Sequence, residues 1–111
     1  ENYIPVTKIL NKNIANLNCK EKTSIYTQDV FELLNNKSFL KNKFQIIFLD
    51  PPFKEKKIKE LLENLNKSNI LDKKGILILH RNKKYRDSLP QKFKIELEKT
   101  YGLSKIIFGS F

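Results

Sequence analysis

Apolar positions along the chain follow two periods, and the order in which they alternate suggests a fold. Val6, Ile9, Leu10, Ile14 and Leu17 recur at helical spacing. Pro5 just ahead of them suits a first turn, where its missing N–H is not needed. Thr23-Ser24-Ile25-Tyr26-Thr27 is a short β-prone run, Asp29 can cap a short helix carrying Val30, Leu33 and Leu34, and Asn35-Asn36-Lys37-Ser38 breaks it. The run Phe44-Gln45-Ile46-Ile47-Phe48-Leu49 is almost continuously apolar, which predicts a strand buried on both faces in a parallel sheet. It stops at Asp50-Pro51-Pro52. From Glu55 to Lys67, Ile58, Leu61, Leu62 and Leu65 share one helix face with Lys and Glu opposite. Asp72-Lys73-Lys74-Gly75 predicts a turn, and Ile76-Leu77-Ile78-Leu79 a second buried strand ending at His80-Arg81. Strand, helix, strand implies a right-handed parallel crossover. After Pro90 the pattern alternates at Phe93, Ile95 and Leu97, turns at Tyr101-Gly102 and resumes from Ser104 to Phe108, as an antiparallel edge hairpin would.

These elements make an α/β chain, and 111 residues with no repeat or disordered linker predict a single domain over 1–111. Charge adds a partner class. Twenty-two basic against 12 acidic residues give +10, which favours a polyanion, with nucleic acid first, although a coding sequence rich in A and T would also enrich Lys, Asn and Ile. The lone Cys19 excludes an internal disulfide, and with a single His it cannot found a zinc site, so no metal is expected. No apolar stretch is long enough for a bilayer, and Glu1-Asn2-Tyr3 does not begin a secretory signal. The expectation is a soluble, cytoplasmic protein with no membrane partner. The chain has no Met, even at position 1, which predicts residues upstream of Glu1.

Ligands of open parallel sheets bind outside the carboxyl ends of the strands, which here are Asp50 and His80. Asp50-Pro51-Pro52-Phe53 is a stiff exit, because two prolines fix φ twice and remove two backbone donors. It offers a carboxylate, a proline carbonyl and an aromatic ring in set directions. The exocyclic amine of a nucleic-acid base is a poor nucleophile, since its lone pair is delocalised into the ring. Acceptors that hold its hydrogens favour pyramidal nitrogen, and Asp50 with the Pro51 carbonyl could do so while Phe53 stacks on the base. Such a site would transfer a methyl group by positioning and electrostatics, without a metal. The plainer reading is a Pro-Pro turn whose Asp caps the next helix; the buried strand before the motif and the aromatic and helix after it favour the functional one.

The motif resembles the Asn/Asp-Pro-Pro-Tyr/Phe signature of amino-methyltransferases, and Phe44 to Phe53 is more closely similar to the RsmD family, which methylates the 2-amino group of a guanine in small-subunit ribosomal RNA. Glu1-Asn2 resembles the end of that family's second strand, Gln28-Asp29-Val30 its Gly-Asp-Ala segment, and Tyr101-Gly102 a pair in its terminal hairpin. The resemblance implies a Rossmann-like methyltransferase sheet, mostly parallel with an antiparallel C-terminal hairpin and lacking the first strand-helix portion. It implies S-adenosylmethionine as cofactor, with Glu1 on the ribose and Asp29 and the Val30 amide on adenine. Asp50, Pro51, Pro52 and Phe53 would be catalytic, and Phe53, Lys54, Lys56 and Lys57 would meet the substrate, the lysines at the start of the next helix. Ribosomal RNA or an assembling small-subunit particle would be the partner.

Departures accompany it. Gln28 replaces a glycine, and His80-Arg81 stand where the family has Glu-His; a lone strand-end His is more often structural, which keeps His80 off the catalytic set. No glycine-rich loop is present, since the glycines are Gly75, Gly102 and Gly109. The 111 residues alone are therefore expected to be inactive, to bind cofactor weakly, with Glu1 fraying, and to self-associate through the open edge of the Phe44–Leu49 strand. Adenine amino-methylation of DNA or RNA, glutamine methylation of a protein, and a non-catalytic RNA-binding module remain alternatives.

Overall fold

A computed structural model describes residues 1–36 and 38–111. They divide into two compact units, Glu1–Asn36 and Lys37–Phe111, each described by itself.

In the first unit, α1 (Ile4–Asn16) has its proline in the opening turn, as expected, and begins two residues ahead of Val6. Thr7 and Ile14 are buried, whereas Val6, Ile9, Leu10 and Leu17 are exposed, because this unit holds no sheet for them to pack on. The helix gives way at Asn18, which adopts φ 51°, a left-handed conformation Asn tolerates. The β-prone run Thr23–Thr27 forms no strand. A strand exists through ladder bonds to a neighbour, and none is available within these residues. Instead the Tyr26 carbonyl accepts a hydrogen bond from the Glu1 α-ammonium at 3.2 Å. Glu1 Oε1 also accepts from the Tyr3 N–H at 2.8 Å. The short helix α2 (Val30–Leu33) is capped as predicted, with Asp29 Oδ1 accepting from the Phe31 N–H at 2.8 Å. Of the predicted break at 35–38, Lys37 lies outside the described residues.

The second unit contains β1 (Phe44–Leu49), α3 (Ile58–Ser68), β2 (Leu71–Asn82), β3 (Lys94–Tyr101) and β4 (Ser104–Ser110). They form a four-stranded sheet in the order β1-β2-β4-β3. β1 and β2 are parallel across the α3 crossover, and the β3-β4 hairpin joins β2 antiparallel through β4. The hairpin turns at Gly102 with φ +56°, where a side chain would be strained. The core gathers Ile58, Leu61, Leu62 and Leu65 of α3 with Leu77, Leu79, Ile107 and Phe93, all at most 6% exposed. Fully burying one such side chain stabilises by about 1.5–3 kcal/mol, so this face holds the unit together.

Four expectations need correction. β1 is not buried on both faces: Ile46 and Phe48 are 64% and 58% exposed. The register sets Ile47 and Leu49 beside Leu77 and Leu79, on the buried face, and alternation sends Ile46 and Phe48 to the other, which no helix of this unit covers. The Asp72–Gly75 turn lies inside β2, as an irregularity between the pairs Phe44↔Leu71 and Ile46↔Ile76. Gly75 is needed there, since a Cβ would stand 3.0 Å from the Phe44 carbonyl oxygen. α3 starts at Ile58 rather than Glu55, because Glu55 closes a turn onto the Pro52 carbonyl at 2.8 Å and its side chain accepts from the Lys57 N–H at 2.7 Å. Finally, β3 is exposed throughout, Ile95 and Leu97 included, since a register shift between them interrupts the alternation on an edge strand.

Candidate active site at the ends of β1 and β2

Parallel pairing sets the two strand ends side by side. Leu49 lies opposite Leu79, so Asp50, just past the end of β1, comes level with His80, which is still within β2. His80 Nδ1 is 2.8 Å from Asp50 Oδ1, and His80 Nε2 is 2.9 Å from Ser104 Oγ. An ionised carboxylate only accepts, so Nδ1 donates to Asp50, and Nε2 shares the second hydrogen bond with the Ser104 hydroxyl, which can serve as donor or acceptor. The chain Ser104, His80, Asp50 fixes one carboxylate oxygen and leaves Oδ2 available on a side chain 58% exposed. Phe53 meets the His80 ring edge-on, with centroids 5.5 Å apart and planes at 82°. Its ring is 40% exposed. Asp50 and Phe53 are therefore brought together around a histidine that sequence reasoning kept off the site.

Arg81, whose role the sequence left open, points the opposite way from His80 and is completely buried. Its Nε and Nη2 donate to the two carboxylate oxygens of Asp87 at 2.8 and 2.9 Å. Its Nη1 donates to the Pro52 carbonyl at 3.0 Å, and Nη2 to those of Phe53 and Glu55 at 3.1 and 3.0 Å. A fixed guanidinium thus holds three carbonyls of the motif loop, which supplements the stiffness of the prolines. A sequence signal for this existed: Leu77, Leu79 and Arg81 alternate onto one face, and a charge placed there must find partners.

The lysines are arranged differently from expectation. Lys54 and Lys56 sit in the loop and Lys57 occupies the N-cap position of α3, so they do not form the opening turn of that helix. Glu1, Asp29 and Val30 belong to the other unit. There the Glu1–Tyr26 bond brings the Glu1 backbone beside the segment that leads to Asp29. Each of the two carboxylates keeps one oxygen with no partner among the described residues. Acceptors of this kind fit ribose hydroxyls and an adenine amine. Among the described residues no group of three or more His, Cys, Asp or Glu could hold a metal ion, and no helix is long and apolar enough to cross a membrane.

Comparisons with known proteins bear on the family and the fold. The family described as conserved hypothetical protein 95 matches residues 1–110. A Bacillus subtilis protein provisionally named rRNA methyltransferase YlbH is 27% identical over 97 residues, covering 85% of this chain and 52% of that protein. The chain therefore spans about half the length of this curated relative. Among solved structures, a conserved hypothetical protein of Streptococcus pyogenes superposes with a TM-score of 0.85 at 22% identity, over 98% of this chain and 67% of that one. A protein of Haemophilus influenzae described provisionally as a methylase gives a TM-score of 0.78 at 23% identity, over 98% of this chain and 68% of its own. At such identities the likeness concerns the fold, and the α/β methyltransferase-type sheet expected from the sequence is the one observed.

Proposed function

Because the chain belongs to the family described as conserved hypothetical protein 95, the RsmD-type family that its sequence resembles, we propose that it serves an S-adenosylmethionine-dependent methyltransferase acting on the 2-amino group of a guanine in small-subunit ribosomal RNA. The observation that carries the proposal is the motif held from two sides: His80 holds Asp50, Arg81 holds the carbonyls of Pro52, Phe53 and Glu55, and one carboxylate oxygen and an aromatic ring face outward. Asp50 Oδ2 accepts one amine hydrogen, the Pro51 carbonyl accepts the other, and Phe53 stacks on the base. Pro52 keeps the loop rigid. Asp50 costs little reorganisation during the reaction, because the His80 bond that orients it already exists, and the Pro51 carbonyl is aimed by the proline-stiffened backbone.

S-adenosylmethionine, when bound, supplies an electrophilic methyl group. On this reading Glu1 accepts from its ribose, and Asp29 with the Val30 N–H meets its adenine. Lys54, Lys56 and Lys57 bind RNA phosphates, consistent with the +10 charge. Ribosomal RNA or an assembling small-subunit particle in the cytoplasm is the partner, in line with the name of the Bacillus subtilis relative. The open edge of β1, with Ile46 and Phe48 exposed, supports a tendency of these 111 residues to self-associate.

Asp50→Ala in the complete enzyme tests the assignment through methyl transfer from labelled S-adenosylmethionine to small-subunit RNA. Turnover is expected to fall about 10²–10³-fold, as for loss of one preorganised hydrogen-bonding partner at a reacting centre. Cofactor affinity should be unchanged. Turnover at the wild-type level would refute the reading, and label in adenine or in protein would redirect it to those substrates.

A further inference from the structure

On the Arg81 face of β2, opposite His80, lies a cavity of about 480 Å³ bordered by Lys54, Lys56, Lys59, Tyr85, Arg86 and Ser88. Its floor is Arg81, the residue that also holds the motif loop. The charge in it is one-sided. Asp87 takes both its bonds from Arg81, and Glu55, whose bond is from the Lys57 backbone N–H, sets one negative charge against four positive ones at the border. Lys54, Lys56, Lys59 and Arg86 make no ion pair among the described residues, so their charges are left for a ligand. An aromatic surface stands among them. Tyr85 is 40% exposed, its ring lies 5.7 Å from the Arg81 guanidinium, and its backbone is fixed by bonds to the Asn82 carbonyl and from Lys105 Nζ.

We propose that this cavity binds a nucleotide of single-stranded RNA next to the modified one, with Lys59 and Arg86 on its phosphates and Tyr85 against its base. A volume of this size suits a small ligand such as one nucleotide. Clustered cations beside an exposed aromatic ring are what single-strand binders combine, and the sequence reading assigned no part in it to Lys59, Tyr85, Arg86 or Ser88. Position completes the argument. Lys54, on the border of the cavity, follows Phe53 directly, and Arg81, which lines the cavity, bonds the Phe53 carbonyl, so the cavity opens beside the loop that carries Phe53. The choice of ligand rests on the base-methylation reading.

The test is anisotropy with a fluorescein-labelled single-stranded RNA oligonucleotide across a salt series. Lys59→Glu with Arg86→Glu should weaken binding about tenfold or more, and should reduce the slope of log affinity against log salt by roughly 1.4, at about 0.7 per phosphate contact. The same charge change at Lys94 and Lys99, on the strand farthest from β1, should have a much smaller effect. Tyr85→Ala should lose on the order of fivefold or more while Tyr85→Phe stays near wild type. Tyr85→Leu keeps bulk against Arg81 and should lose affinity like Ala, which covers the case of an unfolded Ala variant. Equal losses from the two charge pairs, or wild-type affinity in both Tyr85→Ala and Tyr85→Leu, would overturn the proposal. So would equal affinity for duplex DNA. Cavity variants that bind normally in a protein inactivated by Asp50→Ala would remove this inference and leave the base-methylation reading standing; cavity-dependent binding without methyl transfer would do the reverse.

Discussion

Removing the Asp87 carboxylate should destabilise the fold more than any other single change near the motif. Arg81 is fully buried and donates five hydrogen bonds, two to Asp87 and three to loop carbonyls. Asp87→Ala leaves the guanidinium with three neutral acceptors and no counter-charge. A buried ion left alone in this way typically costs about 3–5 kcal/mol. Arg81→Met removes the charge and keeps the bulk, but abandons the Pro52, Phe53 and Glu55 carbonyls and an Asp87 side chain only 10% exposed. The loop carbonyls can recover water, so each lost partner weighs at the lower end of about 1–3 kcal/mol. The double variant should therefore be at least about 2 kcal/mol more stable than the sum of the two single effects predicts. Urea unfolding reads this directly. With a slope of about 1–3 kcal/mol/M, Asp87→Ala should lower the midpoint by about 1 M or more, within the roughly 5–15 kcal/mol available to a domain of this kind. Single losses both below about 1 kcal/mol, or effects that add to within about 0.5 kcal/mol, would show that the guanidinium is solvated and does not hold the loop.

Two further variants probe neighbouring steps of the argument. Phe53→Tyr should preserve methyl transfer and thermal stability, since the ring is exposed, whereas Phe53→Ala should lose about 1–3 kcal/mol of base stacking with little change in melting; a large melting loss for Tyr would return Phe53 to the core. Gly109→Ala would place a Cβ 2.5 Å from Phe93 Cζ and 2.6 Å from the Lys94 carbonyl oxygen, so calorimetry should find a loss of about 1–3 kcal/mol or more, and an unchanged melting temperature would contradict the β3-β4 packing.

The parts of the fold legible in sequence are those where a single period repeats with punctuation at both ends. Ile58, Leu61, Leu62 and Leu65 specify α3, and the Tyr101-Gly102 turn specifies the hairpin. Thr23–Thr27 failed because β propensity says that a residue suits a pleated surface and cannot say whether a neighbouring strand is there to pair with it. Ile46 and Phe48 failed for a related reason: a continuous apolar run tells that both faces tolerate burial, while what covers each face is decided by elements elsewhere. The motif itself could be read, since prolines act locally. His80 could not, because its partners Asp50 and Ser104 are 30 and 24 positions away, and only the register of β2 with β1 and β4 brings them together.

That register also explains why two adjacent residues at the end of β2 do different work. Side chains alternate across a strand, so His80 and Arg81 leave on opposite faces, one beside Asp50 and the other beneath the loop that follows it. A motif held from one face alone could pivot about the strand end. Here Asp50 is fixed on one side through His80 and Ser104, while the carbonyls of Pro52, Phe53 and Glu55 are fixed on the other through Arg81 and Asp87. A shift of about 1 Å at a reacting group is enough to lose on the order of 10²-fold in rate. Exchanging His80 and Arg81 would keep the composition, the charge and the apolar pattern of β2, yet send each side chain to the wrong face. The functional content of this strand end therefore lies in the order of the pair.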